Sequence, residues 1–295
     1  MGFADLVKHA AADKGVSQIA TFSKGISLFA HNFAPTASMQ FAGVAVPVYN
    51  LTAKNVSTST NSWYNLDEIG GKVVTLDKRI VAGITLADTE VGVAGKAGWG
   101  EASFARAQVI SDATVSIVKA IETQIAQDMY AKFTRAAGKH TITLSADFSA
   151  MVAKAAAYVN PAETVLVLSP DNFYKLYSEL PQNIIYQQTD PIQDGVLRNV
   201  YGLKAVVMAP GLQIPGAFVA DGVFGVVNRL NVPVIDGYWD TFELKSDDGF
   251  SIGFRAYEDL RDGAMKFAGD CLYGSTFLQA GTDGKTEGFI PVVAG

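Results

Sequence analysis

One stretch constrains this fold more than any other. Residues 101–133 carry a long helical pattern, set between an extended excursion and an ordinary alternation of helices and strands. Ile117, Ile121, Ile125, Met129 and Phe133 recur every four residues, and Ile110, Val118 and Tyr130 widen the stripe. That is the pattern of a helix with one face in a core. Glu101 stands in the first turn and Lys132 and Arg135 near the end, matching the helix dipole. At about 1.5 Å per residue the segment spans roughly 50 Å, and Gly138 is placed to stop it. In front lie residues 43–100, rich in Ser, Thr and Gly. A compact enzyme rarely mounts a long β arm on the front of a long helix, because the arm must find its covering surface elsewhere.

Composition points the same way. Charged residues make up 18% of the 295-residue chain and apolar ones 49%, against about 25% charged in an average soluble protein. Apolar surface is therefore expected to be covered, in a core or between subunits. The extended character of the chain favours subunits. The net charge is −6 and no basic block occurs, which excludes tight binding of nucleic acid through phosphate neutralisation. Cys271 is the single cysteine, so neither an intrachain disulfide nor a cysteine zinc site is expected. It reads as a small buried apolar residue. The first residues lack the apolar core of a signal peptide, and no apolar run approaches ~18 residues. A cytoplasmic protein without a membrane span is expected. The myristoylation-like start fails at Leu6, where Ser or Thr is required.

Along the chain, residues 1–40 mix small and apolar residues and read as an arm packed on something else. Residues 41–49 alternate as a strand, with Pro47 placing it at an edge. A polar, turn-rich stretch follows, with Trp63, Tyr64 and Leu66 embedded. Residues 72–91 form a second extended run. The two runs are expected to pair as a long hairpin, marginal on its own and with no local surface to rest on. Gly92, Gly95, Gly98 and Gly100 make the joint to the helix flexible. Next come a helix over 146–158, stopped by Asn160-Pro161, and a buried strand over 164–168. A helix follows with Ser169 as N-cap and Pro170 at its first position. Residues 204–208 and 218–227 supply further strands of a small α/β unit. From Val232 the pattern is β, with Asp247-Asp248-Gly249 as a hairpin turn. Residues 265–278 read as a closing segment and 281–295 as a glycine-rich tail.

Catalytic motifs fail on context. Gly249-Phe250-Ser251-Ile252-Gly253 matches a nucleophile-elbow string, but Phe250, Ile252 and Phe254 alternate straight through the serine. The elbow needs strand, sharp turn and helix. Gly95-Lys96 lacks both the leading glycine and the following Ser or Thr of a phosphate loop. His9, His31 and His140 have no metal-type spacing. No catalytic, cofactor or metal residue is expected. Lys54 and Lys72 read as solubilising loop residues.

The order of these segments resembles the major capsid protein of tailed bacteriophages, with its Hong Kong 97-type fold, along most of the chain. The most family-like string is Asp194-Gly195-Val196-Leu197-Arg198-Asn199-Val200-Tyr201-Gly202-Leu203-Lys204-Ala205-Val206-Val207. Phe254-Arg255-Ala256-Tyr257-Glu258 is similar to the β part of the P-domain. The resemblance implies an α+β fold. It divides the chain into an N-terminal arm (1–40), an extended β-hairpin E-loop (41–99), a P-domain (100–163 and 229–278, spine helix 101–137), an A-domain (164–228) and a C-terminal tail (279–295). It implies a structural protein without cofactors, assembled in the bacterial host cytoplasm into hexamers and pentamers of an icosahedral phage head. That head would enclose double-stranded DNA non-specifically. Separate scaffolding, portal and decoration proteins are the implied partners, and the arm leaves no room for a fused scaffolding domain before Phe41. Trp63, Tyr64 and Leu66 are candidate inter-subunit contacts, and Gly92, Gly95, Gly98 and Gly100 a candidate hinge. An encapsulin-like nanocompartment shell stays open as an alternative, separable by its contents. An α/β enzyme with an inserted arm also stays open, and would show a small oligomer and a pocket of convergent polar groups.

Overall fold

The structure is a computed structural model. It describes residues 28–33, 45–49, 71–75, 78–86, 99–181, 195–229, 240–245, 251–259, 264–278, 285–286 and 288–295. In chain order the elements are β1 (Ala30–Phe33), β2 (Ala45–Tyr49), β3 (Gly71–Thr75), β4 (Lys78–Leu86), α1 (Trp99–Arg135), β5 (Ile142–Thr143), α2 (Phe148–Ala155), β6 (Thr164–Leu168), α3 (Pro170–Glu179), β7 (Val196–Arg198), β8 (Ala205–Met208), β9 (Gly216–Ala220), β10 (Phe224–Arg229), β11 (Asp240–Lys245), β12 (Ser251–Asp259), β13 (Ala264–Phe277) and β14 (Phe289–Val293). Helices and sheets mix as an α+β fold.

The first sheet is organised around β13. One edge of this 14-residue strand pairs antiparallel with β4, from Met265 opposite Leu86 to Tyr273 opposite Lys78. Its other edge is shared end to end by β12, along residues 264–270, and β10, along residues 272–277. β11 flanks β12 and β1 runs parallel to β10. The expected closing segment is thus the most heavily paired strand of the sheet. α1 lies across one face of this strand, and Gly269 permits the close approach. A Cβ there would lie 2.7 Å from Ile117 Cγ2 and 3.3 Å from Ile121 Cδ1, so its missing side chain lets α1 rest directly on the strand. The four-residue stripe is buried as its spacing predicts, with Ile117, Ile121, Ile125, Met129 and Phe133 all at most 2% exposed.

The second sheet runs β5-β14-β9-β6-β8-β7. β6 and β8 pair in parallel, bridged by α3. All five residues of β6 are buried, because its two faces serve two cores. Val165 and Val167 join the core that contains the α1 stripe, while Leu166 and Leu168 face Phe173 and Leu176 of α3 and Met151 and Val152 of α2. Such two-sided burial produces an unbroken apolar run. Ser169 occupies the N-cap position of α3, but its hydroxyl makes no capping bond. It accepts a 2.9 Å bond from Asn172, whose amide also reaches the Pro215 carbonyl at 3.1 Å.

The pairing bears on several of these expectations. The expected pairing of 41–49 with 72–91 holds for its first part, where β3 pairs with β2, whereas β4 pairs with β13. A local surface does exist for β4, since Ile80, Ala82 and Ile84 pack on the α1 core. The stretch 164–228 does not close as one unit. β9 belongs to the second sheet and β10 to the first, and the chain crosses at Asp221-Gly222, where Gly222 has a φ of 70°. Residues 279–295 are more than a tail: β14 lies inside the second sheet between β5 and β9, with Phe289, Ile290 and Val292 buried. The arm 1–40 contributes β1 to the first sheet, with Phe29 fully buried beside it.

Candidate assembly surface

β2 and β3 form a two-stranded ribbon, in register from Ala45 opposite Thr75 to Tyr49 opposite Gly71. Neither pairs with any other described strand. Two strands alone are marginal in water, so among the described elements the ribbon is the one whose backbone pairing calls for a partner surface. Its foundation is β4. Alternation along that strand turns Ile80, Ala82 and Ile84 toward α1 and leaves Arg79, Val81, Gly83 and Thr85 exposed on the other face. Val81 is 56% exposed, one of four large apolar side chains so exposed among the described residues; the others are Tyr158, Tyr174 and Val293.

Charged groups hold β4 at both faces. On the α1 side, Lys78 Nζ donates to Asp128 Oδ2 at 2.7 Å, the Tyr273 hydroxyl donates to the same oxygen, and Gln124 Nε2 reaches Oδ1 at 3.3 Å. Burial pushes the Asp128 carboxyl up, but these hydrogen bonds and the Lys78 charge outweigh it. The group is held below its ordinary value of 3.8. On the opposite face, Arg79 Nη2 donates to Asp270 Oδ2 at 2.6 Å and Arg255 Nη2 to the same atom at 3.0 Å. The Asp270 side chain is 4% exposed, so its two arginines stabilise a charge that burial alone would disfavour. Further along α1, Lys132 Nζ donates to Ser275 Oγ at 2.8 Å.

The candidate contacts Trp63, Tyr64 and Leu66 lie outside the described residues, as do Gly92, Gly95 and Gly98 of the candidate hinge. Gly100 is in the first turn of α1. Sequence reading missed the Lys78–Asp128–Tyr273 and Arg79–Asp270–Arg255 groups. The one available signal was Asp270, a lone acid inside the apolar run of residues 267–273, which must find a cation if buried.

The catalytic strings weighed in the sequence meet no catalytic context among the described residues. Ser251 begins β12, paired with Lys245, and the strand runs straight on to Asp259 where an elbow would turn into a helix. Cys271 is buried. No group of three His, Cys, Asp or Glu side chains among the described residues could hold a metal. A groove of about 490 Å³ opens beside Lys139, His140, Tyr158, Glu163, Asp221 and Thr286, with His140 stacked on Tyr158 at a centroid distance of 3.8 Å. It lies where three described crossings between the two six-stranded sheets, α1 to β5, β9 to β10 and β13 to β14, converge.

No protein-family model matches the chain, and no curated protein does. Solved structures do. The chain is similar to phage capsids. The capsid of the cyanophage P-SCSP1u shares 14% identity over 90% of this chain and 87% of its own, with a TM-score of 0.49. The capsid of Ralstonia phage GP4 shares 11% over 88% and 85%, with a TM-score of 0.48. The acid-stable capsid of the Helicobacter pylori bacteriophage KHP30 shares 10% over 89% and 87%, with a TM-score of 0.47.

Proposed function

We propose that this chain is the major capsid protein of a tailed phage, a Hong Kong 97-type subunit that assembles into hexamers and pentamers around double-stranded DNA. The observation that carries the reading is the β2–β3 ribbon, which pairs with no other described strand of its own copy. Its root is built into the sheet that supports a 37-residue helix. A subunit with that layout gains stability when neighbouring copies cover the ribbon.

In this reading residues 41–99, which include the ribbon, are the E-loop, with Trp63, Tyr64 and Leu66 as anchors on the next copy. α1 is the spine of the P-domain, and Gly92, Gly95, Gly98 and Gly100 let the hairpin tilt as a shell expands. The low charge fraction and net charge of −6 suit a wall that encloses DNA without adhering to it. Assembly would take place in the host cytoplasm, with the virion as the final location. Scaffolding, portal and decoration proteins would be separate chains.

Negative-stain electron microscopy of the expressed protein after size-exclusion chromatography tests the reading. Shells, tubes or free hexamers and pentamers in the high-mass fractions are expected. A monomer or dimer that never assembles, even under crowding or high salt, would overturn it. Particles that hold protein cargo in place of DNA would move it to a nanocompartment shell.

A further inference from the structure

A ribbon that meets a neighbouring copy at a defined angle must be fixed somewhere to its own body. Between Thr75 and Lys78 the backbone pairing passes from β2 to β13. The first two residues after that switch are both committed, and to opposite faces. Lys78 reaches Asp128 of α1 at 2.7 Å, and the register sets Tyr273 of β13, which bonds the same carboxylate, directly opposite Lys78. One contact point therefore joins β4, α1 and β13. Arg79 turns the other way and reaches Asp270 of β13 at 2.6 Å, where Arg255 of β12 also bonds. That second point joins β4, β13 and β12.

A strand fastened on both faces at its first two residues moves with the sheet, not with the ribbon. We propose that Lys78 and Arg79, through Asp128 and Asp270, are positioning residues that fix the ribbon's root, so that the ribbon's angle to a neighbouring copy is set at the Thr75–Lys78 switch. The inference rests on the shell reading. It adds a second pivot, on the β3 side of β4, to the glycine joint that precedes α1. The two acids lie on α1 and β13, so a change in how α1 sits on β13 would reach the ribbon through these two contacts.

The test pairs amide hydrogen exchange on the unassembled full-length subunit with particle diameters measured by electron microscopy. It compares the wild type with Lys78→Met, Lys78→Arg and Arg79→Met. Lys78→Met and Arg79→Met should each speed exchange across residues 78–86 on the order of tenfold, with β6 and β10 unchanged. Lys78→Arg should restore the wild-type rate. Lys78→Met particles should vary more in diameter than those of the wild type or Lys78→Arg, which loss of stability alone would not produce. Unchanged exchange over 78–86 in both methionine variants overturns the inference. So do Lys78→Met particles as uniform as the wild type. A wild-type chain that forms no particles sinks the shell reading instead, and the exchange data still decide whether the root is fastened.

Discussion

At the scale of single residues, two glycines show how one substitution can fail for unrelated reasons. Val200-Tyr201-Gly202-Leu203 forms a tight turn, closed by a 3.0 Å bond from Leu203 N to the Val200 carbonyl. Tyr201 and Gly202 both have positive φ, 52° and 76°. A Cβ on Gly202 would meet nothing within 4 Å, so Gly202→Ala should cost only the left-handed backbone penalty, about 1 kcal/mol. Gly202→Asn should recover part of it, because Asn tolerates that region. Gly138 is the opposite case: a Cβ there would lie 2.3 Å from the Phe289 carbonyl oxygen and 2.5 Å from Pro291 Cδ. Gly138→Ala should therefore cost roughly 1–3 kcal/mol, and Asn should be worse. Chemical denaturation of the four variants separates the two causes. The sequence suggested Gly138 as a helix stop. Its larger task, letting β14 pass close to the end of α1, depends on a contact 151 residues away and could not be read locally. Asp128 supplies a pH prediction. Its folded pKa lies below the ordinary 3.8, so its contribution is present above the unfolded value and is lost as pH falls through the folded one. Wild-type stability should drop more steeply than that of Asp128→Asn as the pH falls below about 4, as thermal melts at stepped pH would show.

At the scale of elements, legibility follows the range of the signal. α1 and β6 were readable because burial imprints a local period: four residues on α1, and an unbroken run where both faces of β6 are covered. β13 was not, since Lys266, Gly269, Asp270 and Gly274 break its apolar pattern. Gly269 makes sense only beneath Ile117, and Asp270 only between Arg79 and Arg255. Phe133 is the clearest meeting point of elements. Its ring lies 5.1–5.6 Å from those of Phe29, Phe224, Phe277 and Phe289, which come from the arm, β10, β13 and β14. Phe133→Ala should cost about 3–5 kcal/mol in unfolding free energy, without regard to assembly. The E-loop aromatics should behave in the reverse manner under the shell reading. Trp63→Ala and Tyr64→Ala should leave the isolated subunit's melting temperature unchanged, yet raise the protein concentration needed for assembly by roughly tenfold, as loss of an interface anchor does. Light scattering against concentration would show it. A melting temperature that falls with no change in assembly would mean the rings pack within their own loop.

At the scale of the whole molecule, the described residues cross three times between the two six-stranded sheets, and the last crossing leads into the interior of the second. β14 is the final strand in sequence but an interior strand in space, pairing in parallel with β5 and antiparallel with β9. The crossings are tied together by backbone bonds: Thr286 N to the Ala137 carbonyl at 2.9 Å, and Ala220 N to the Gly288 carbonyl at 2.8 Å. Phe289 carries the strand into the ring cluster around Phe133, whereas Ile290 and Val292 fill the core beneath α2 and α3. One five-residue strand therefore closes both cores, and neither sheet is independent of it. Fully burying three such side chains is worth about 1.5–3 kcal/mol each, a sum comparable to the ~5–15 kcal/mol that holds a typical domain folded. A chain ending at residue 284 should thus lose cooperative unfolding altogether and not merely shed a tail. Its melt by circular dichroism should be broad or absent, and adding a synthetic peptide of residues 285–295 should restore a cooperative transition. A truncated chain that melts as sharply as the full one would show that the two sheets stand without β14.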